Sequence, residues 1–317
     1  MSMNDRQRRL HICLCENGFV PADAENHSII KRYNADNRLY EMTACSIVAW
    51  SDEYHTLYKI IDGFLCIANF YPDGECAFLI ARPQDAQSCT MQRIIDRLYT
   101  VSRRAGLDIL CIREIEERFL EDYRQLNGYS LETGYNDDMS EYIYSANSLL
   151  DPGVNRKKRR LLKKYDNKPG ISFQAITPEN FCRCLDMEKQ WCESQDCDKC
   201  RSFVGCARKT PEIMAAIFDG SAYQGILGFV DATPVGYIIF EKISDDDAYF
   251  YFTKTTMPNF SMYLYNIATQ RYLNTVKRIN MGADIGKQGL RLFKRSLGHY
   301  NLQKKYYCTI TRKGCVN

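Results

Sequence analysis

The sequence has 317 residues, of which 45% are apolar and 26% charged, as is ordinary for a soluble globular protein, and it is long enough for two domains. This composition excludes collagenous and disordered chains, and no apolar run reaches the roughly 18 residues of a membrane span. The basic N-terminus lacks the apolar segment of a signal peptide, so we expect a cytoplasmic protein whose 15 cysteines are reduced.

Strand and helix signals alternate in the first half of the chain. Asp62-Gly63 between two apolar runs predicts a β-hairpin, because this dipeptide adopts the backbone that hairpin turns need. Apolar residues spaced by three and four predict an amphipathic helix that ends before Gly106. In chain order we expect strands over 57–61, 64–70 and 76–81, a helix over 90–104, a strand over 108–112, an acidic helix over 114–123, and strands near Tyr129 and over 141–145.

The second half repeats this order about 170 residues later, without similarity at the level of residues. We expect strands over 223–230, 236–243 and 248–254, a helix over 261–274, a strand over 278–281, a helix near 288–297 and a strand near 302–310. An antiparallel meander followed by helix, strand, helix and strand is the order of the N-acetyltransferase-like (GNAT) fold. The sequence therefore predicts an α/β (α+β) protein of two tandem GNAT-like domains, 1–150 and 151–317, each a mixed sheet with flanking helices.

The predicted C-terminal domain opens with a basic helix. Residues 156–164 read RKKRRLLKK, and removing these seven charges from the net charge of +3 leaves −4 for the rest of the chain. On a helix the cations are expected to point nearly all round, with a few apolar residues as the anchor. A solvated linker helix is one interpretation of this segment. The other is contact with a polyanion through Arg156, Lys157, Arg159 and Arg160.

A turn with three glycines joins a strand to the final long helix. The segment 280–294 reads NMGADIGKQGLRLFK, and its glycines allow the backbone to approach a ligand closely. The start of the helix offers N–H groups to an anion, and Arg291 and Lys294 share one helix face. The spacing of the glycines and Gln288 exclude a Walker phosphate loop. The alternative is a tight strand-to-helix connection with two solvated cations.

The pattern Asn-x3-Asp-x-Gly-x2-Gly-Leu-Arg-x2-Lys in this segment resembles the signature of uncharacterised proteins related to the C-terminal catalytic domain of phosphatidylglycerol lysyltransferase. Residues 43–50 with 58–68, residues 141–145 and the basic run are similar to the same family, so the resemblance covers roughly residues 40–310. The stretch from Gly289 to Lys294 is also similar to the end of Fem-type aminoacyltransferases. The resemblance implies transfer of an aminoacyl group from charged tRNA to an amine or a lipid hydroxyl.

The chemistry of such a transfer assigns candidate roles to individual residues. An aminoacyl ester is already activated, so its aminolysis needs positioning and charge stabilisation more than a nucleophilic side chain. Asn280 and Asp284 are the candidate catalytic residues, placed to orient an amine. The candidate ligands for the phosphates of the donor are Lys254, Gly286, Gly289, Arg291 and Lys294, together with the basic run.

Other functions stay open at this level. Neither half contains the Q/R-x-x-G-x-G/A loop that cradles coenzyme A, so acetyl-CoA is the weaker donor. The motifs of serine hydrolases, zinc proteases and dinucleotide-binding proteins are absent. One alternative is a protein that keeps this fold and binds nucleic acid or an anionic surface without catalysis. The second alternative is a cysteine-rich metal or redox protein.

The second alternative depends on a cluster of four cysteines. Cys192, Cys197, Cys200 and Cys206 lie within 15 residues and include one C-x-x-C pair. Four thiolates suit a tetrahedral zinc site or an iron–sulfur cluster. The spacing matches no standard site, so free or redox-active thiols are the competing interpretation.

Overall fold

A computed structural model describes residues 3–34, 37–83, 88–153, 155–193 and 210–314. These residues pack into two compact units. The first unit contains the described residues up to Asp137 and those from Lys304 onward, and the second contains the described residues between Asp138 and Gln303. No helix in this part of the chain has the length and hydropathy needed to cross a membrane.

The helices and strands of the described residues are numbered in chain order. The α-helices are α1 (Asp5–Glu16), α2 (His27–Tyr33), α3 (Ala44–Ala49), α4 (Ser51–Tyr54), α5 (Ser88–Arg104), α6 (Leu120–Arg124), α7 (Ala146–Leu150), α8 (Arg156–Asp166), α9 (Cys182–Glu193), α10 (Thr210–Ile217), α11 (Phe260–Tyr272) and α12 (Gln288–Leu297). The strands are β1 (Val20–Pro21), β2 (Leu57–Ile61), β3 (Phe64–Phe70), β4 (Cys76–Ala81), β5 (Ile109–Ile115), β6 (Tyr129–Tyr135), β7 (Glu141–Tyr144), β8 (Ile171–Ala175), β9 (Tyr223–Val230), β10 (Thr233–Lys242), β11 (Asp247–Thr255), β12 (Arg278–Ala283), β13 (Tyr300–Gln303) and β14 (Tyr306–Arg312).

The first unit is built on a seven-stranded sheet in the order β1-β2-β3-β4-β5-β14-β6. β4 and β5 are parallel and α5 crosses between them, while the other neighbouring strands are antiparallel. Asp62 and Gly63 in the β2–β3 turn have φ angles of 50° and 86°, the left-handed backbone predicted for this hairpin. Ile94, Ile95 and Leu98 of α5 are buried in the core beneath the sheet, each contributing about 1.5–3 kcal/mol through burial.

The second unit has a sheet of the same design, in the order β13-β7-β12-β11-β10-β9-β8. β11 and β12 are its parallel pair, connected through α11. Phe260 and Leu264 of α11 pack so closely on Gly228 and Gly236 that a Cβ at either glycine would lie within 3.0 Å of Phe260 and within 3.3 Å of Leu264. The repeated architecture confirms the predicted fold class, which is two GNAT-like mixed sheets with flanking helices.

Each sheet contains one strand from the other half of the chain. β14, near the C-terminus, lies between β5 and β6 of the first sheet, and β7 lies between β12 and β13 of the second. The compact units divide between Asp137 and Asp138 and again between Gln303 and Lys304. The domain ranges 1–150 and 151–317 stay a prediction. Hydrogen bonding between strands places β7 and β14, and the local sequence carries no signal for such distant pairing.

Two local predictions differ from the structure. The expected strand over 302–310 is two strands, β13 and β14, which belong to different sheets. The expected acidic helix over 114–123 begins later, because β5 continues to Ile115 and a short 3₁₀ helix, Glu117–Phe119, precedes α6. Glu114 has a left-handed backbone with φ 56°, which is rare for a residue with a side chain and coincides with the register shift in the pairing of β5 with β14.

Candidate active site

The turn after β12 is held by a charged pair. The Asp284 carboxylate accepts hydrogen bonds from Nε and a terminal nitrogen of Arg291, both at 2.8 Å, from the Tyr142 hydroxyl at 2.7 Å and from the Gly286 backbone at 3.0 Å. Hydrogen bonds from Arg291, followed by those from Tyr142 and the backbone, lower the pKa of Asp284 to about 2 against the cost of burial. Asp284 is therefore ionised at neutral pH and serves as an anchor for Arg291 rather than as a proton acceptor.

Lys294, the second cation of the turn, uses all of its donors within the turn. Lys294 is buried, and its ammonium donates to the backbone carbonyls of Met281 at 2.6 Å, Gly282 at 2.8 Å and Ala283 at 2.7 Å. An ammonium has three N–H donors, so all of them close the turn. Lys294 thus lies at the predicted site but holds the strand end, and the expectation of two solvated cations is wrong for this residue.

The glycines of the motif have different surroundings. Gly286 has φ 71°, and a Cβ there would approach a carboxylate oxygen of Asp138 to 2.9 Å. Asp138 also accepts a hydrogen bond from Arg291 at 2.5 Å, so it lies next to both Gly286 and Arg291. Gly289 is exposed, and a Cβ added there would have no atom of the described residues within 4 Å. Gly286 therefore has a structural reason to lack a side chain, and Gly289 leaves room for a ligand.

Asn280 lies on β12 and is buried. Its side-chain amide donates to the Glu141 carboxylate of β7 at 2.6 Å, and its side-chain oxygen accepts from the Gly282 backbone at 2.8 Å. Glu141 is completely buried, so this hydrogen bond compensates part of the cost of burying its polar side chain. Both polar atoms of the Asn280 side chain therefore have partners within the protein. That Asn280 orients an amine stays a prediction.

Lys254 lies in a second cluster, on β11. Its ammonium is 3.1 Å from the Glu188 carboxylate and 3.5 Å from the centre of the Trp191 ring. Glu188 of α9 is buried and also accepts a hydrogen bond from the Tyr237 hydroxyl of β10 at 2.8 Å. The Lys254 side chain keeps 21% of its surface exposed, so its cation is both fixed in position and reachable from outside.

These side chains belong to one polar face of the second sheet. The alternate residues of β10 and β12, such as Ile238 and Ile279, point into the apolar core, so Tyr237, Glu241 and Asn280 lie on the opposite side. Glu241 is buried and accepts from the Tyr251 hydroxyl at 2.8 Å. We define the polar face as Glu141, Glu188, Tyr237, Glu241, Tyr251, Lys254 and Asn280. It carries three buried carboxylates, each with a hydrogen-bond donor.

Sequence reasoning missed Glu188 and Glu241, although both had a signal. Glu188 interrupts an apolar helical stripe, since Cys184, Met187 and Trp191 lie three and four residues along the same helix face. A carboxylate in such a stripe is buried against a partner or a ligand. Glu241 directly follows the apolar run 237–240 of strand β10 and lies on its polar side, yet it is buried.

The basic helix α8 presents one charged face. Arg156, Lys157, Arg159, Arg160, Lys163 and Lys164 are exposed, and none of them forms an ion pair with another described residue. At 100° per residue these six positions fall within an arc of about 160°. The expectation that the cations point nearly all round is therefore wrong, because Lys158, Leu162 and Tyr165 turn inward.

The buried side of α8 fixes the helix in the second unit. The Lys158 ammonium donates to the carbonyls of Ser148 at 3.1 Å, Asp151 at 3.2 Å and Leu297 at 2.5 Å. Burial lowers the pKa of Lys158 to about 8. The Tyr165 hydroxyl donates to the Pro258 carbonyl at 2.8 Å. α8 is thus an integral part of the second unit, which does not fit a solvated linker helix.

The described residues place the predicted site residues in three groups. Asp284, Arg291, Lys294 and the glycines form the turn, Lys254 belongs to the polar face together with Asn280, and the basic residues form the surface of α8. Of the four cysteines, Cys197, Cys200 and Cys206 lie outside the described residues, as does the side chain of Cys192. The zinc or iron–sulfur site stays a prediction, which metal analysis of protein purified without chelator would test.

Comparison with known proteins finds similarity in structure alone. No protein-family model and no curated protein sequence matches the chain. A conserved protein of unknown function from Bacteroides thetaiotaomicron is 17% identical, with a TM-score of 0.80 over 93% of this chain and 99% of that one. The C-terminal domain of a putative lysylphosphatidylglycerol synthetase from Agrobacterium fabrum is 10% identical, with a TM-score of 0.62 over 89% and 92%. FemX is 10% identical, with a TM-score of 0.58 over 89% and 95%. The similarity to the synthetase and to FemX confirms the resemblance at the level of fold.

Proposed function

We propose that this protein is a transferase that moves an aminoacyl group from charged tRNA to an amine or hydroxyl acceptor. The observation that carries the proposal is the structural similarity, over about nine-tenths of the chain, to the C-terminal domain of a lysylphosphatidylglycerol synthetase and to FemX. The C-terminal motif that resembles both families supports the same conclusion. A fold alone leaves function open, so the chemistry of the site has to carry the rest.

The polar face supplies groups that suit the transfer. A neutral amine attacks the ester carbonyl, a tetrahedral oxyanion forms, the bond to the ribose oxygen breaks, and the proton lost by the amine is gained by that oxygen. Lys254 is a fixed, partly exposed cation that would stabilise the oxyanion. Glu188 and Trp191 hold Lys254 in place, so its charge needs no reorganisation during the reaction. No nucleophilic side chain is required, in agreement with the reactivity of the ester.

The basic face of α8 would bind the phosphate backbone of the donor. Six exposed cations without acidic partners among the described residues, on a fixed helix, suit a polyanion, and such contacts release counterions on binding. Arg291, with 31% of its side chain exposed, and the open position at Gly289 would add contacts near the turn. Acetyl-CoA stays the weaker candidate donor. Because charged tRNA is made and used in the cytoplasm, the proposal places the protein there.

A transfer assay tests the proposal against binding without catalysis. The protein is incubated with tRNA charged with labelled amino acids and a soluble primary amine, and both bound tRNA and labelled amide are measured. We expect amide to form faster than in the absence of protein. Retention of tRNA with no amide, over a range of amino acids and of amine and lipid acceptors, would instead support a non-catalytic nucleic-acid-binding protein.

A further inference from the structure

A groove in the first unit has no part in the proposed transfer. It lies between the loop after α1, strand β2 and helix α5, and has a volume of about 290 Å³. Liquid water occupies about 30 Å³ per molecule, so the groove has room for about ten waters or a small organic molecule. Ligand pockets in proteins begin at about this size.

The floor of the groove is apolar. Phe19, Ile61, Leu98 and Val101 line it, and each is buried in the core of the unit. Gly18, with φ 80°, turns the chain after α1 so that Phe19 faces the core. A ligand in the groove would therefore contact carbon atoms from the loop, the sheet and the helix.

The rim of the groove is cationic. Lys59, Arg97 and Arg104 line it, against one carboxylate, Asp96. Asp96 already accepts a hydrogen bond from the Tyr129 hydroxyl at 2.6 Å. The three cations and one carboxylate leave the lining with an excess of two positive charges.

The three cations differ in how many of their N–H donors already have partners among the described residues. Lys59 donates to the carbonyl of Asn17, which uses one of its three N–H groups. Arg97 is 3.3 Å from Asp62, which lies outside the groove. Arg104 is exposed and forms no ion pair or hydrogen bond with another described residue. Donors are therefore available to an anion from β2 and from two turns of α5.

Lys59 also breaks the apolar pattern of its strand. It lies between Leu57 and Ile61, on the face of β2 that packs into the core, where alternation predicts an apolar residue. Its ammonium donates to the carbonyl of Asn17, just after the end of α1, and Lys59 still lines the groove.

We propose that this groove binds a small amphipathic anion, with a phosphate or carboxylate group on a short apolar chain. The head group would lie between Arg104, Arg97 and Lys59, and the chain would cover the apolar floor. An anion without a chain would leave the floor wet, and a neutral chain would leave the excess positive charge unpaired. Both parts of the ligand are therefore needed for tight binding.

Calorimetric titration of the full chain with hexyl phosphate tests the proposal, with hexanoate, inorganic phosphate and hexanol as comparisons. We expect saturable binding of hexyl phosphate or hexanoate at submillimolar concentration, and the tighter of the two identifies the head group. Inorganic phosphate and hexanol are expected to bind at least tenfold more weakly. Arg104→Gln should weaken binding by about tenfold, because one of the charge-assisted hydrogen bonds is lost.

Arg103→Gln is the matched control, since Arg103 is the neighbouring exposed cation but pairs with Asp108 at 3.2 Å and does not line the groove. Its affinity for the probe should stay within twofold of the unsubstituted protein. The proposal is overturned if neither amphipathic probe binds saturably up to 10 mM, or if Arg103→Gln and Arg104→Gln weaken binding equally. This outcome is independent of the transfer assay, which concerns the second unit.

Discussion

The charged pair Asp284–Arg291 at the turn after β12 shows which contacts of single residues the sequence predicts and which it does not. The sequence places Asp284, Arg291 and Lys294 in one motif, because their spacing around a strand-to-helix turn brings them close. It does not indicate that Arg291 is also held by Asp138, or that Tyr142 donates to Asp284, since these partners are about 150 and 140 residues away. The motif is therefore recognisable, but sequence reasoning assigns its cations to a ligand when most of their donors hold the turn.

The low pKa of Asp284 predicts how its contribution to stability depends on pH. The folded pKa of about 2 is below the ordinary 3.8, so the carboxylate stabilises the fold above about pH 4, and this contribution is lost as the pH falls towards 2. The shift corresponds to about 2 kcal/mol. Asp284→Asn should lower the free energy of unfolding by about that amount at pH 7, measured by urea denaturation, and the difference should shrink between pH 4 and pH 2.

Asp186→Asn serves as the control for this experiment, because Asp186 is a carboxylate on α9 with no ion pair to another described residue. It should unfold like the unsubstituted protein at both ends of the pH range. A difference for Asp284→Asn that stays constant from pH 7 to pH 2 would show that the loss comes from packing and not from the charge.

At the scale of the element, α8 is predictable as a basic helix from its composition alone. Its apolar anchor is predictable too, because Leu162 and Tyr165 are the conventional buried residues of such a helix. The inward position of Lys158 has no local signal, since one of the carbonyls it binds, at Leu297, is 139 residues away. Because Lys158 is buried, the remaining six cations lie on one continuous face of α8 and do not surround the helix.

The basic face predicts a steep salt dependence of RNA binding. Replacing Arg156, Lys157, Arg159 and Arg160 with glutamine should weaken tRNA binding at least about tenfold and reduce the slope of log K against log salt concentration by about 3, because each phosphate contact contributes about 0.9 or less. Filter binding between 50 and 300 mM salt would measure both effects.

A control variant with the same change in net charge separates phosphate contacts made by α8 from the general electrostatic attraction of the whole protein. Arg6, Arg8, Arg93 and Arg103 are exposed cations of the first unit, on α1 and α5. Replacing these four with glutamine should leave the salt slope nearly unchanged. If both quadruple variants reduce the slope alike, α8 is not the docking surface.

At the scale of the molecule, the repeated order of strands and helices is enough to predict two GNAT-like sheets. Hairpin turns, amphipathic periodicity and chain order are local, and the structure confirms them. The exchange of β7 and β14 between the halves is not predictable, because a short apolar strand fits many sheet edges equally well. The partners of each strand lie far away in the sequence, β12 and β13 for β7 and β5 and β6 for β14, so no local signal specifies them.

This exchange predicts that the C-terminal strand is essential to the first sheet. A chain that ends at Gln303 lacks β14, which separates β5 from β6, and so leaves two strand edges unpaired. We expect that chain to lose hydrogen-exchange protection in β5 and β6 and to aggregate. A chain that ends at Gly314 keeps all of β14 and should behave like the full chain. Protection of β5 and β6 in both chains would contradict the pairing.

Single-turnover transfer from charged tRNA tests whether the polar face is the transfer site. Glu188→Gln and Lys254→Met should each slow amide formation by about 100-fold, because a fixed cation at the oxyanion is lost or released, while tRNA affinity stays within about twofold. Lys242→Met, which removes a cation from the exposed end of β10, should transfer at the unsubstituted rate. Equal rates in all three variants would show that the polar face is not the transfer site.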